Sequence, residues 1–438
     1  MRIQSGMAWF GWPGLLAAAL LCGCGDDNTA ADALFSPAEL TKIKTFSPRP
    51  APKPDTTNMY ADDEKAAALG KKFFFEKGYS GPIVVGDDGS NGGLGAVGET
   101  GKVSCRSCHL GDWMIDTRSQ PNGTSLAIDW FFRNSPTIVN VATYEKQFGW
   151  VGFNDNLWGK NLIPAEFVMG TTRTGIVKFL YGKYKAEYDT IFSPPLDDGL
   201  MDDMRFPAGA TPLNAMSDWS KMPAADQEIV NRAYANFGKA IQAYERKLIS
   251  GDSPFDRFVA GQEAAISESA KRGLKLFIGK AACSECHKGP TFSDELFHVT
   301  GVPQIGEHVV PSDEGRFAAI DVYLSWDFNT AGKYSDDPSI NRTAGVSKDA
   351  KLTGAFRTKG LRNVAMTGPF MHTGHISTLK EVVEFYNDGG AETGFAGTKD
   401  SLMKPLNLTP AEVGDIVAFL ETLTGDPVPA EWLSEPTP

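Results

Sequence analysis

Apolar side chains recur at three- and four-residue steps through the middle of the chain. Ile229, Ala233, Phe237, Ile241, Tyr244 and Leu248 share one face, which predicts an amphipathic helix ended by the Asp and Pro within Gly251 to Phe255. Thr378-Leu379-Lys380-Glu381 reads as a capping box. Leu379, Val382, Val383 and Tyr386 then share a helix face, and Asn387-Asp388-Gly389-Gly390 stops it. A second box, Thr409-Pro410-Ala411-Glu412, opens a helix running to about Leu423. Strand-like alternation is scarce. The pattern predicts a mostly α protein.

Two short helical stretches resemble each other. One contains Leu69-Gly70-Lys71-Lys72-Phe73-Phe74-Phe75, the other Gly273-Leu274-Lys275-Leu276-Phe277-Ile278. The first is followed by a Gly-rich insertion, Gly78 to Gly101, read as a surface loop. This is a diverged internal duplication. At 438 residues two domains are expected. The divisions read as a leader over 1–24, a Pro-rich tether over 25–58, and domains over 59–262 and 263–430. A hydrophobic fraction of 42% fits a globular protein, and a net charge of −12 argues against nucleic acid and suits a basic protein partner.

After each duplicated helix comes the same chemistry: Cys105-Arg106-Ser107-Cys108-His109 and Cys283-Ser284-Glu285-Cys286-His287. Cys-x-x-Cys-His is the attachment pattern of a c-type haem, with two thiols for the porphyrin edge and an imidazole for the iron. Two covalently attached haems are expected, with Phe of the preceding helix placed to pack on each. Two redox Cys-x-x-Cys pairs, or one zinc site built from both pairs, are the alternatives. The leader carries Arg2 and an apolar run from Met7 to Leu21, short and interrupted by Gly and Pro for a membrane span. It closes on Leu21-Cys22-Gly23-Cys24, which resembles a lipoprotein box. Export to the periplasm is expected, with a lipid on Cys24 as the only membrane attachment.

Distal ligands separate an electron carrier from a reactive haem. The chain has six His, none of them between His109 and His287. The first haem therefore reads as open. On pattern alone, Tyr386 is a core tyrosine.

Further stretches carry a family resemblance. Phe356-Arg357-Thr358-Lys359-Gly360-Leu361-Arg362-Asn363-Val364, then Thr367-Gly368-Pro369-Phe370-Met371-His372-Thr373-Gly374, then Thr378-Leu379, with Phe132-Arg133-Asn134-Ser135-Pro136-Thr137 in the first half, resemble the bacterial di-haem cytochrome c peroxidases, including the MauG-type enzymes. The resemblance runs from about residue 60 to 425. It implies two cytochrome-c-like haem domains with long loops, the first peroxidatic and the second for electron transfer. The family's distal ligand of the second haem falls on Tyr386; it is Met in typical peroxidases and Tyr in MauG-type enzymes. The removable His of typical members falls on Ser125, so no reductive opening of the first haem is implied. The inter-haem Trp relay falls on Trp150. The pocket Gln falls on Lys160, a departure. The pocket Glu has no matching position, because Val168 precedes Met169-Gly170; Glu166 is the nearest acid and the candidate acid–base, with Lys160 an alternative source of positive charge. A family calcium site implies the Asn134 side chain and the carbonyls of Thr367 and Pro369, with His372 beside it.

The leading expectation is a peroxidase that reduces hydrogen peroxide with electrons from a small cytochrome c or cupredoxin. A second is a MauG-like enzyme that uses peroxide to oxidise an aromatic residue of a partner protein. A third is a non-enzymatic electron carrier with two closed haems.

Overall fold

A computed structural model of the protein describes residues 34–86, 94–116 and 123–436. The leader and Cys24 lie outside the described residues. Among the described residues the protein is mostly helical. The helices are α1 (Pro37–Lys44), α2 (Glu64–Phe75), α3 (Leu157–Lys160), α4 (Arg173–Asp189), α5 (Ala224–Glu245), α6 (Pro254–Val259), α7 (Glu268–Ile278), α8 (Arg316–Ser325), α9 (Leu379–Asn387), α10 (Pro410–Glu421) and α11 (Ala430–Leu433). One two-stranded antiparallel ladder, β1 (Phe297–His298) and β2 (Phe356–Arg357), pairs Phe297 with Arg357 and His298 with Phe356. Both expected capping boxes form, at Thr378 and Thr409. The long central helix ends at Glu245, earlier than the pattern predicts, and Leu248 is buried beyond it.

The duplication is a packing motif. Helix α2 starts on Asp63, which caps Ala66, and crosses α5; helix α7 starts on Ser267, which caps Ala270, and crosses α10. Each crossing needs a glycine. A Cβ on Gly70 would lie 1.9 Å from the Ala240 carbonyl oxygen, and one on Gly273 would lie 1.9 Å from that of Asp415. Four residues on, Phe74 reaches to 6.2 Å from the His109 ring and Phe277 to 6.5 Å from the His287 ring. One core gathers around α2, α4 and α5, the other around α7 and α10.

Two features depart from the expected divisions. The stretch up to residue 58 is not a free tether from residue 34 on. Phe35, Ile43 and Phe46 are buried in the second core, Thr57 and Asn58 are buried, and Arg246 donates to the Lys53 carbonyl at 2.9 Å. Its few aromatic and branched residues supply the burial that its Pro-rich composition conceals. Packing also crosses the boundary expected at 262/263. Phe255 and Phe258 belong to the second core, while Phe328, Tyr334 and Val428 return to the first. No helix among the described residues is long and apolar enough to cross a membrane.

Candidate haem sites and the space between them

The two Cys-x-x-Cys-His strings fold alike. Each opens with a short 3-10 turn, Cys105–Ser107 or Cys283–Glu285. The His109 amide donates to the Cys105 carbonyl at 3.2 Å, and the His287 amide to the Cys283 carbonyl at 2.9 Å. Nδ1 of His109 lies 3.1 Å from the Met114 carbonyl oxygen, and Nδ1 of His287 lies 2.9 Å from that of Phe292. Both carbonyl-bearing residues have left-handed backbones, at φ 49° and 53°, which non-glycine residues seldom adopt. A carbonyl only accepts, so each Nδ1 carries the proton and each Nε2 presents its lone pair. Burial pushes the His109 pKa down to about 3 and lowers that of His287, so both rings stay neutral, as iron ligands must.

The thiols speak against the simpler readings. None of the four is in a disulfide. Burial pushes Cys105 up to about 11, Cys283 to about 12 and Cys286 to about 11, opposite to the depressed values of redox pairs. Among the described residues no cluster joins the two Cys pairs into one metal site. The one compact group, Cys286 with Asp294 and His298, has its imidazole already held by Asp294 at 3.0 Å and Asp400 at 2.8 Å. These residues fit covalent haem.

A cavity of about 320 Å3 is lined by Cys283, Cys286, His287, Tyr386 and Met403. Tyr386 sits on α9, and burial, with the neighbouring Cys286 and Cys283 thiols, pushes its phenol up to about 12. The same cavity continues to Trp150, Lys160 and Lys359. Trp150 donates from Nε1 to the Asn134 carbonyl at 2.7 Å and meets the His372 ring edge-on at 6.2 Å. Asn134 in turn donates from Nδ2 to the Pro369 carbonyl at 2.6 Å, and Thr367 lines the same cavity. The structure thus brings Trp150, Asn134 and Pro369 together, with the Asn134 amide nitrogen rather than its oxygen facing the Pro369 carbonyl.

On the first side, Ser125 is fully buried and donates to Ser135 at 3.0 Å. The remaining imidazoles have partners: His308 stacks on Trp130 at 3.8 Å, His372 on Phe356 at 3.6 Å, and His375 meets Thr373 at 2.6 Å. Glu166 departs from its expected part. One oxygen takes the Arg173 fork at 3.0 and 3.2 Å and the other accepts from Thr211 at 2.6 Å, so the carboxylate braces the turn Pro164–Val168. Sequence reasoning missed Glu245. It is buried on α5, 3.9 Å from the Lys160 ammonium, and accepts from Asn161 at 2.7 Å. Burial raises its carboxyl pKa, which Lys160 and Asn161 only partly offset. An acid beside Tyr244 on the apolar face was the available signal.

Residues 64–264 match the family model described as di-haem cytochrome c peroxidase. The chain is 34% identical over 424 residues to cytochrome-c peroxidase IdrP1 of Denitromonas iodatirespirans, covering 93% of this chain and 92% of that one. It is 28% identical to the methylamine utilization protein MauG of Methylorubrum extorquens, over 95% of this chain and 96% of the other. Its fold is similar to that of the diheme peroxidase BthA from Burkholderia thailandensis, with a TM-score of 0.56 and 20% identity over 88% of this chain and 92% of that one. The chain belongs to the di-haem cytochrome c peroxidase family, which makes it a peroxidase-type oxidoreductase and implies two c-type haems.

Proposed function

We propose that the protein reduces hydrogen peroxide at a haem held by Cys105, Cys108 and His109. A second haem, which Cys283, Cys286 and His287 would hold, would supply electrons taken from a small cytochrome c or cupredoxin, with Trp150 as the relay between the two. The observation that carries this reading is the inequality of the two sites. Tyr386 lines the cavity of the second, whereas Ser125 stands in the sequence where typical family members carry the removable His of the first, and the other imidazoles are engaged elsewhere.

Bound haem supplies the iron at which the peroxide bond is cleaved and the redox capacity for both electrons. The chain does the rest. Its thiols anchor the porphyrins, and the Met114 and Phe292 carbonyls fix the imidazole tautomers. The Lys160 ammonium supplies positive charge beside the first motif, and the Glu245 carboxylate, 3.9 Å from it, is the acid–base candidate. Glu166 holds its turn in place rather than moving a proton. A calcium ion held by Asn134, Thr367 and Pro369 would take Asn134 through Oδ1, in place of the hydrogen bond that its Nδ2 now gives to the Pro369 carbonyl. The protein works in the periplasm, tethered by lipid on Cys24.

A second reading rests on Tyr386. A phenolate oxygen favours oxidised iron, as in a MauG-like enzyme that spends peroxide on an aromatic residue of a partner protein. One experiment covers both readings. The ferric protein is mixed with stoichiometric peroxide, alone and with a reduced small cytochrome or cupredoxin. Rapid donor oxidation supports the peroxidase; a long-lived oxidised state indifferent to donor supports the second. Two low-spin haems unmoved by peroxide would overturn both.

A further inference from the structure

The cavity between the two sites has an unusual charge balance for a protein of net charge −12. Lys160, Arg357, Lys359 and Arg362 line it, and among the described residues no Asp or Glu does. Three of the cations are matched from behind. Arg362 pairs with Asp256 at 2.8 Å, Arg357 with Glu295 at 3.3 Å, and Lys160 approaches Glu245 at 3.9 Å. Lys359 differs. Its ammonium lies 4.4 Å from the centre of the Trp150 ring and donates to the Gly149 carbonyl at 3.1 Å, with no acidic partner among the described residues. A cation so placed is costly unless an anion joins it. The buried Arg357 Nε also lacks a partner. The missing negative charge must therefore come with whatever fills the cavity, and Cys283, Cys286 and His287 on its wall identify the filler as haem.

We propose that Lys359 is a carboxylate-binding residue that receives a propionate side chain of the second haem and holds the resulting ion pair against the face of Trp150. The inference rests on the di-haem reading above. It makes Lys359 a positioning residue that sets a potential. A cation beside a haem favours the reduced form, because reduction removes positive charge from the iron. The ammonium also opposes oxidation of the indole beneath it, and the carboxylate offsets that opposition.

The test is spectroelectrochemical titration of the full-length di-haem protein and its Lys359→Met, Lys359→Gln and Lys359→Arg variants, with covalent haem counted in each. Neutral variants should shift the second haem's reduction equilibrium at least tenfold toward the oxidised form, about 59 mV for one electron. Lys359→Arg should restore most of it, and the first haem should stay in place. Loss of the second haem from both neutral variants but not from Lys359→Arg would also support a charge role. Loss from all three, or potentials indifferent to Lys359, or a shift confined to the first haem, would overturn the inference. Fewer than two haems on the parent protein would instead overturn the di-haem reading itself.

Discussion

At the scale of single residues, the chemistry depends on which atoms face the iron. Tyr386→Phe removes one oxygen from the wall of the His287 cavity while keeping the ring that packs there. The expected outcome is a changed absorption and EPR signature of one haem only, with little loss of stability; an unaltered spectrum would remove Tyr386 as a ligand. Trp150→Phe keeps an aromatic ring over Asn134 but loses the 2.7 Å hydrogen bond and the more easily oxidised indole. Stopped-flow traces should show peroxide reacting at the parental rate and donor electrons arriving more slowly. Glu245 and the half-buried Lys160 face each other beside the first motif, so Glu245→Gln should slow peroxide cleavage, whereas Glu166→Gln should chiefly lower stability.

At the scale of elements, the two glycine crossings are the most sensitive points of the fold. Gly70→Ala or Gly273→Ala places a methyl 1.9 Å from a carbonyl oxygen, which only a separation of the helix pair relieves. Overpacking of this kind costs about 1–3 kcal/mol. Because Phe74 and Phe277 ride on the same helices, haem content should fall along with the unfolding midpoint. The capping boxes are less critical. Thr378→Ala or Thr409→Ala should cost about 1 kcal/mol in denaturant titration, and only the first should disturb the Tyr386 helix.

At the scale of the whole molecule, Asp256 joins the N-terminal segment to the second core. It accepts from Ser47 at 2.8 Å and takes both Nη atoms of Arg362, which also donates to the Phe46 carbonyl at 2.9 Å. Burial alone would raise the Asp256 carboxyl pKa; the Arg362 guanidinium overrides it and holds the group well below the usual carboxylate range. A depressed folded-state pKa contributes stability above the unfolded value, about 3.9, and that stability is lost as pH falls toward the folded one. Acid titration followed by intrinsic fluorescence should therefore show destabilisation beginning near pH 4. Asp256→Asn should remove about 3 kcal/mol at neutral pH and flatten that acid limb.

The strings around His109 and His287, the helix patterns and the capping boxes were legible in the sequence because they are local. Bond geometry sets the Cys-x-x-Cys-His spacing, and helix periodicity and caps act within a few residues. The docking of residues 34–58 was not legible, because Phe35, Ile43 and Phe46 acquire meaning only against a core contributed by distant helices. Nor were the bracing of Glu166 by Arg173 and Thr211, the approach of Glu245 to Lys160, and the seating of Lys359 on Trp150. These depend on side chains far apart in the chain meeting where water is excluded. There a charge must find a partner, and only the tertiary structure decides which partner that is.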